Sequence, residues 1–138
     1  VYSHEGEKLG IALLGKGGSI TAQMIAFGAE SLEDAFHTRI KEAISMRKGL
    51  FDPLATNAYR LINTEGDGIP GLIVDVYADI FVLQASTPGI ERWKEFLVQV
   101  LAAEGKPRAI FEKSTSSLRR REGRSEQKGL LYGKAEPE

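Results

Sequence analysis

The sequence predicts an α+β fold: a small mixed sheet with two helices, preceded by the last strands of a small β-barrel. Three observations carry that expectation. Two apolar stripes recur at helical spacing, Leu32 to Ile44 and Ile90 to Leu101. Several short runs are rich in β-branched and aromatic residues and are bounded by Gly, Pro, Asn and Asp. From about residue 58 onward, strands are followed by a helix and then by strands again, an order that suits helices on one face of a sheet.

Residues 1 to 28 read as β structure. "KLGIALLGKGGSITAQMIAFG" holds two apolar runs around a turn at Gly15, Lys16, Gly17 and Gly18. Two or three strands without a closing sheet do not make a stable domain, so this part is expected to belong to a barrel whose beginning lies outside the chain. The next segment, "AESLEDAFHTRIKEAISMRKGLF", predicts a helix over about 31 to 48. Leu32, Phe36, Ile40, Ala43 and Ile44 form its apolar stripe, Ser31 is the N-cap, and Arg47 and Lys48 precede Gly49 at its end. Strand candidates follow at Ala58–Asn63, Gly71–Tyr77 and Ile80–Ser86. A second helix starts at Pro88, presents Ile90, Trp93, Phe96, Leu97, Val100 and Leu101 on one side, and stops at Gly105 and Pro107. "RAIFEKS" and "GLLYG" supply the last strands. Leu61, Ile73, Val82, Leu83, Phe96 and Ile110 are expected to bury together. A parallel return of the chain through a crossover helix is an open alternative for residues 71 to 111.

Composition bounds the function. The chain has 138 residues, 42% apolar and 27% charged, which suits one domain or one domain with part of a neighbour. A formal charge of −1 gives no global attraction to nucleic acid or to an anionic membrane, so such contact needs a local patch. With no cysteine there is no disulfide, thiolate metal site or cysteine nucleophile, and a reducing cytoplasm is the compartment easiest to accept. No apolar run approaches the ~18 residues of a membrane span, and the N-terminus shows neither a signal peptide nor an initiator methionine, as expected of an excerpt from a longer protein.

The stretch "RLINTEGDGIPGLIVDVYADIFVLQAS" raises the question of an acidic site. Glu65, Asp67 and Asp75 are hard oxygen donors, yet they lack the spacing of an EF-hand, and the further ligands of a Mg²⁺ site cannot be named. Gly66, Gly68, Pro70 and Gly71 suit a tight turn, with Asp67 bonding its own backbone. Asp75, inside an apolar run, either faces water or pairs with Arg60 on a neighbouring strand. His4 and His37 have no metal-spaced companion, and no nucleophile elbow, phosphate loop or dinucleotide fingerprint is present. Residues Arg108 to Lys128 hold seven basic side chains against three acidic ones. "SSLRRREGRSEQKG" is expected to form an exposed loop or short helix, either simply solvated or touching phosphates through Arg119, Arg120, Arg121 and Arg124.

The pattern carried by Arg60, Leu61, Glu65, Asp67, Gly68, Pro70, Gly71, Leu72, Val74 and Asp75, with "RIKEAISMRKGLF" before it and "IFEKSTSSLRRREG" after it, resembles class I SAM-dependent rRNA methyltransferases, closest to the bacterial 23S rRNA cytosine-C5 family. The resemblance covers nearly the whole chain. It implies that residues 1–28 are the last strands of a PUA-like RNA-binding domain and that 29–138 are the central α+β domain. It also implies that S-adenosylmethionine and the catalytic cysteine belong to a further domain, so that this chain holds no catalytic residue, metal or cofactor of its own. The expected role is to position 23S rRNA and to hold the RNA-binding and catalytic domains at a fixed spacing. A non-catalytic module for self-association, such as a homodimer, or for protein interaction is the alternative, and no membrane role is expected.

Overall fold

A computed structural model describes residues 1–15, 19–115, 117–121 and 123–134, with the backbone alone at 117 and 118. The centre of the glycine turn expected at 15 to 18 lies outside the described residues. The chain runs β1 (Gly10–Leu14), β2 (Ala22–Phe27), α1 (Leu32–Leu50), β3 (Ala58–Asn63), a 3-10 turn (Thr64–Asp67), β4 (Leu72–Tyr77), β5 (Ile80–Ala85), α2 (Pro88–Gly105), β6 (Ala109–Ser114), α3 (Ser117–Arg121) and β7 (Gln127–Gly133). β1 and β2 form an antiparallel pair. The other five strands form one sheet in the order β3-β4-β5-β6-β7. Among the described strands of this sheet, β5 and β6 run parallel and the other neighbours antiparallel, because α2 carries the chain back across the sheet between β5 and β6. The crossover is the open alternative for residues 71 to 111, realised after an antiparallel β4–β5 hairpin.

The helices form where the sequence places them, for the reasons it suggests. Ser31 caps α1 by accepting from the backbone N–H of Asp34 at 3.0 Å, and Thr87 caps α2 by accepting from Ile90 N–H at 3.3 Å, with Pro88 in the first turn. α1 runs through Gly49 to Leu50 rather than stopping at 48. One glycine in an exposed helical turn costs only about 1 kcal/mol relative to alanine, and Pro53 supplies the stop three residues later. Of the loop or short helix expected for the basic segment, the structure has a short helix, α3, beside the two long ones.

Both long helices pack on the same side of the five-stranded sheet. Leu72, Val74, Val76, Leu83, Ala85 and Ile110 meet Phe36, Ile40, Ile90, Leu97 and Leu101 in one buried cluster. Phe36, Trp93 and Phe96 seal the α1–α2 seam with ring centroids 5.4 to 6.4 Å apart. Ile73 and Val82, expected in this core, stand instead on the opposite face and are half-exposed. The polar residues on that face, Asp75 two positions from Ile73 and Gln84 two from Val82, accord with its facing away from the helices.

Where the last strands of a barrel are expected, the chain forms one pair of strands that packs on the rest of the fold. β1 and β2 are a two-stranded sheet, and Ile25 and Ala26 are buried in the same core as the helices. Arg92 of α2 donates to Leu14 O at 3.1 Å across this junction. Gly89 lets the helix approach so closely that a Cβ there would stand 2.6 Å from that of Leu13.

Candidate nucleic-acid interface

The acidic stretch is a β3–β4 hairpin closed by a 3-10 turn. Gly68 and Gly71 have φ of 71° and 90°, and each also makes room for a side chain. A Cβ on Gly68 would come within 2.8 Å of Arg39, and one on Gly71 within 2.5 Å of Thr87. Pro70 sits between them, half-buried. Asp67 is held by Arg47, which reaches across from the last turn of α1 and donates to both carboxylate oxygens at 2.7 and 2.8 Å. Asp67 also accepts from the backbone N–H of Asn63 at 2.7 Å, so it bonds its own turn as the residue type suggests.

Asp75 lies directly opposite Arg60 on β3 and accepts from it at 2.7 and 3.2 Å. This pair sits on the open face of the sheet, and the hydrogen bond to Asp75 raises the Arg60 pKa. Glu65 accepts from Gln23 of β2 at 3.4 Å, and its hydrogen bond with Thr64 lowers its pKa. The three carboxylates therefore serve three different partners. No group of three or more His, Asp or Glu able to hold a metal ion occurs among the described residues. His37 is half-exposed on α1 and faces Glu104 of α2 at 3.2 Å.

The basic segment divides into two kinds of arginine. Arg119, expected on an exposed run, is only 1% exposed. Its guanidinium donates to both oxygens of Glu91 at 3.0 and 3.1 Å, to Ala85 O at 3.0 Å, and to Ser125 O at 2.8 and 3.0 Å. Arg124 donates to Glu91 at 3.3 Å and to Ser86 O. Burial pushes the Glu91 carboxyl up, but the Arg119 hydrogen bond and charge, then Arg124 and Lys94, outweigh it and hold the pKa below its ordinary value. Arg120 and Arg121 are exposed on the same short helix. The β6–β7 connection is thus pinned by one pair of arginines and presents the other pair to solvent.

Sequence reasoning missed the acceptors of this clamp. Glu91 and Lys94 lie three residues apart on α2. Lys94 donates to the buried Glu112 at 2.9 and 3.2 Å, and Ser114 Oγ donates to Glu112 at 2.8 Å. Ser114 Oγ in turn accepts from Ala85 N–H at 2.9 Å. Both backbone groups of Ala85, at the end of β5, are therefore satisfied by side chains, Ser114 on one side and Arg119 on the other. The one signal available was a glutamate inside the strand-like run "RAIFEKS", which has to find a partner if it faces inward.

The parallel β5–α2–β6 unit raises the question of a nucleoside cofactor, since such units take ligands beyond the carboxyl ends of their strands. At that end Arg119 donates to Ala85 O and Arg124 to Ser86 O, so these two carbonyls, which a polar group of such a cofactor would meet, are already taken by the chain's own cations.

No family model matches the chain. It is 36% identical over 135 residues to ribosomal RNA large subunit methyltransferase I of Shewanella denitrificans, covering 96% of this chain and 34% of that protein. The proteins of the same name from Vibrio cholerae and Aliivibrio fischeri are 36% and 33% identical over 138 and 140 residues, 99% and 100% of this chain and 35% of each relative. Among solved structures, a candidate SAM-dependent methyltransferase from Streptococcus mutans superposes with a TM-score of 0.79 at 24% identity, over 99% of this chain and 34% of that one. A crystal structure of a candidate methyltransferase complexed with SAH gives 0.79 at 23% over the same shares. At these identities the two structures establish the fold alone. The chain spans about a third of the length of the curated relatives it matches. It is homologous, over that third, to the ribosomal RNA large subunit methyltransferase I proteins, in agreement with the resemblance carried by the Arg60-to-Asp75 motif.

Proposed function

We propose that this chain is the RNA-positioning and linking part of a SAM-dependent rRNA methyltransferase, with 23S rRNA as substrate of the whole protein. The observation that carries this reading is the clamp of Arg119 and Arg124 on Glu91, which fixes the β6–β7 connection and leaves Arg120 and Arg121 exposed. A cation held on an anchored loop reaches a phosphate with little loss of backbone entropy. Direct phosphate contact then falls to Arg120 and Arg121, while Arg119 and Arg124 position the loop. The methyl donor and the nucleophile belong outside this chain, which has no cysteine and whose carbonyls at the crossover, Ala85 O and Ser86 O, are held by Arg119 and Arg124. Residues 1–28 serve as the end of a PUA-like RNA-binding domain and 29–138 as the central domain. In support, β1 and β2 form a sheet of their own that is nevertheless fused to the helices through Ile25 and Ala26. No helix among the described residues is long and apolar enough to cross a membrane.

The test is the affinity of the chain for 23S rRNA segments at several salt concentrations. Binding should weaken steeply with salt, and Arg120→Ala with Arg121→Ala should lower the slope of log K against log salt by about 1.4, at about 0.7 per phosphate contact on single strands. Absence of binding at low salt would refute the reading. A second reading, self-association, is favoured by a groove of about 620 Å³ between α2 and β7 that includes Val98, Ala102 and Leu131. It predicts oligomers that form with rising concentration whether or not RNA is present.

A further inference from the structure

The five-stranded sheet has a second face, away from both long helices, and its side chains form a pattern. Arg60, Asp75, Val82, Phe111 and Leu130 stand opposite one another in a row across all five strands. Two residues further along the last two strands, Lys113 stands directly opposite Lys128. Both lysines are exposed. Like charges directly opposed on neighbouring strands repel and cost stability. Little relieves this pair: Lys128 meets the equally solvent-washed Glu126 at 3.6 Å, and Lys113 has no ion-pair partner among the described residues. An anion laid across the two lysines would remove that repulsion.

The position of the pair adds direction. Ser114 and Gln127 form the next register pair, and beyond it the chain enters the connection that bears Arg120 and Arg121. Positive charge therefore continues from the loop onto the open face. About 7 Å further in, two residues along the strands, Phe111 and Leu130 form a half-exposed apolar platform. At the far side, the negative charge of Asp75 is taken up by Arg60, so the row does not repel a polyanion.

We propose that this open face is the track for a single-stranded segment of RNA, with phosphates on Lys113 and Lys128 and an unstacked base against Phe111. The proposal rests on the RNA-positioning reading and extends it from the loop to the sheet. Cations at one strand end beside an aromatic platform suit a single strand, whose bases are free to turn onto the sheet; a duplex keeps its bases stacked inside.

Fluorescence anisotropy of the 138-residue chain with a labelled unstructured RNA of about twelve nucleotides, and with the corresponding duplex, tests this over a salt series. Lys113→Gln with Lys128→Gln should weaken single-strand binding about tenfold and lower the salt slope by about 1.4. The same double variant should unfold at an equal or higher urea concentration, because a repulsive pair has gone. Phe111→Leu keeps the apolar surface and the charges; it should weaken binding about fivefold or more with the salt slope unchanged. If the face variants bind like the parent while Arg120→Ala/Arg121→Ala does not, the track is refuted and the loop reading stands. If the face variants alone lose binding, the track stands and the loop reading falls. If no RNA is bound, both are refuted; if the variants change only self-association, both are refuted and the face is a contact between copies.

Discussion

Arg47, in the last turn of α1, and Asp67, at the end of the 3-10 turn, form a two-point ion pair whose side chains are 13% and 6% exposed. Arg60 and Asp75 make a pair of the same chemistry on the open sheet face at 46% and 17%. The difference in solvent decides which one locks the hairpin. Removing a partner from a shielded pair strands the other charge, whereas an exposed arginine simply turns to water. Asp67→Ala is therefore expected to cost about 3 kcal/mol. Asp75→Ala should cost about 0.5 to 1 kcal/mol. Urea denaturation of the two variants checks the order, and equal losses would contradict it.

Gly71 joins the hairpin to the start of α2. Its φ of 90° is unfavourable for any L side chain, and a Cβ there would meet Thr87, the N-cap of α2, at 2.5 Å. Gly71→Ala should cost about 2 kcal/mol through backbone strain and displacement of that cap. Gly66 is the control: the nearest atom to its Cβ would be Asn63 Nδ2 at 3.8 Å, and Gly66→Ala should change stability by less than about 0.5 kcal/mol.

The two kinds of arginine in the β6–β7 connection should separate cleanly in stability. Arg119→Ala leaves Glu91 to Arg124 alone and removes the Arg119 donor from the carbonyls of Ala85 and Ser125, and a loss of about 3 kcal/mol is expected. Arg120→Ala and Arg121→Ala should stay within about 0.5 kcal/mol of the parent chain. Thermal melts of the three variants, read beside RNA binding, distinguish the arginines that hold the loop from those that face the solvent.

The clamp also sets a pH dependence. The Glu91 carboxyl is held below its ordinary value of 4.5 in the folded chain, so the folded state binds fewer protons than the unfolded one. Its contribution to stability is full above that value and is lost as the pH falls through the lower folded value. Asp79 and Glu65 are shifted in the same direction, by Arg108 and Thr64 respectively, so the parent curve alone does not isolate Glu91. The difference between the parent chain and Glu91→Gln does: it should shrink as the solution is acidified below about 4.5, and a difference constant with pH would remove Glu91 from the account.

Much of the fold was legible because local chemistry and tertiary packing agree. Ser31 and Pro88 mark helix starts by satisfying or lacking the N–H groups that a helix leaves open, and the β3 boundaries at Ala58 and Asn63 follow from a β-rich run between turn residues. The inward face of β4 and β5 was misread although alternation marks it: Asp75 shares a face with Ile73 and Gln84 with Val82, which turns that face outward. Leu72 and Ile73, or Val82 and Leu83, are equally apolar by themselves, and the docking of α1 and α2 buries the member of each pair that does not share a face with a polar residue. The pairing of Arg60 with Asp75 could be raised from sequence, since both lie on adjacent strands that turn back on each other.

Arg47 and Asp67 are twenty residues apart on different kinds of element, and nothing local links them. Arg119 and Glu91 are twenty-eight apart and meet because the crossover helix returns the chain to the end of β5. The sequence by itself determined the elements, their caps and the hairpin at the acidic stretch, because these depend on neighbours along the chain. The tertiary structure alone decided which charges are buried and which remain at the surface, because the solvent exposure of an arginine depends on what packs over it and not on the residues beside it.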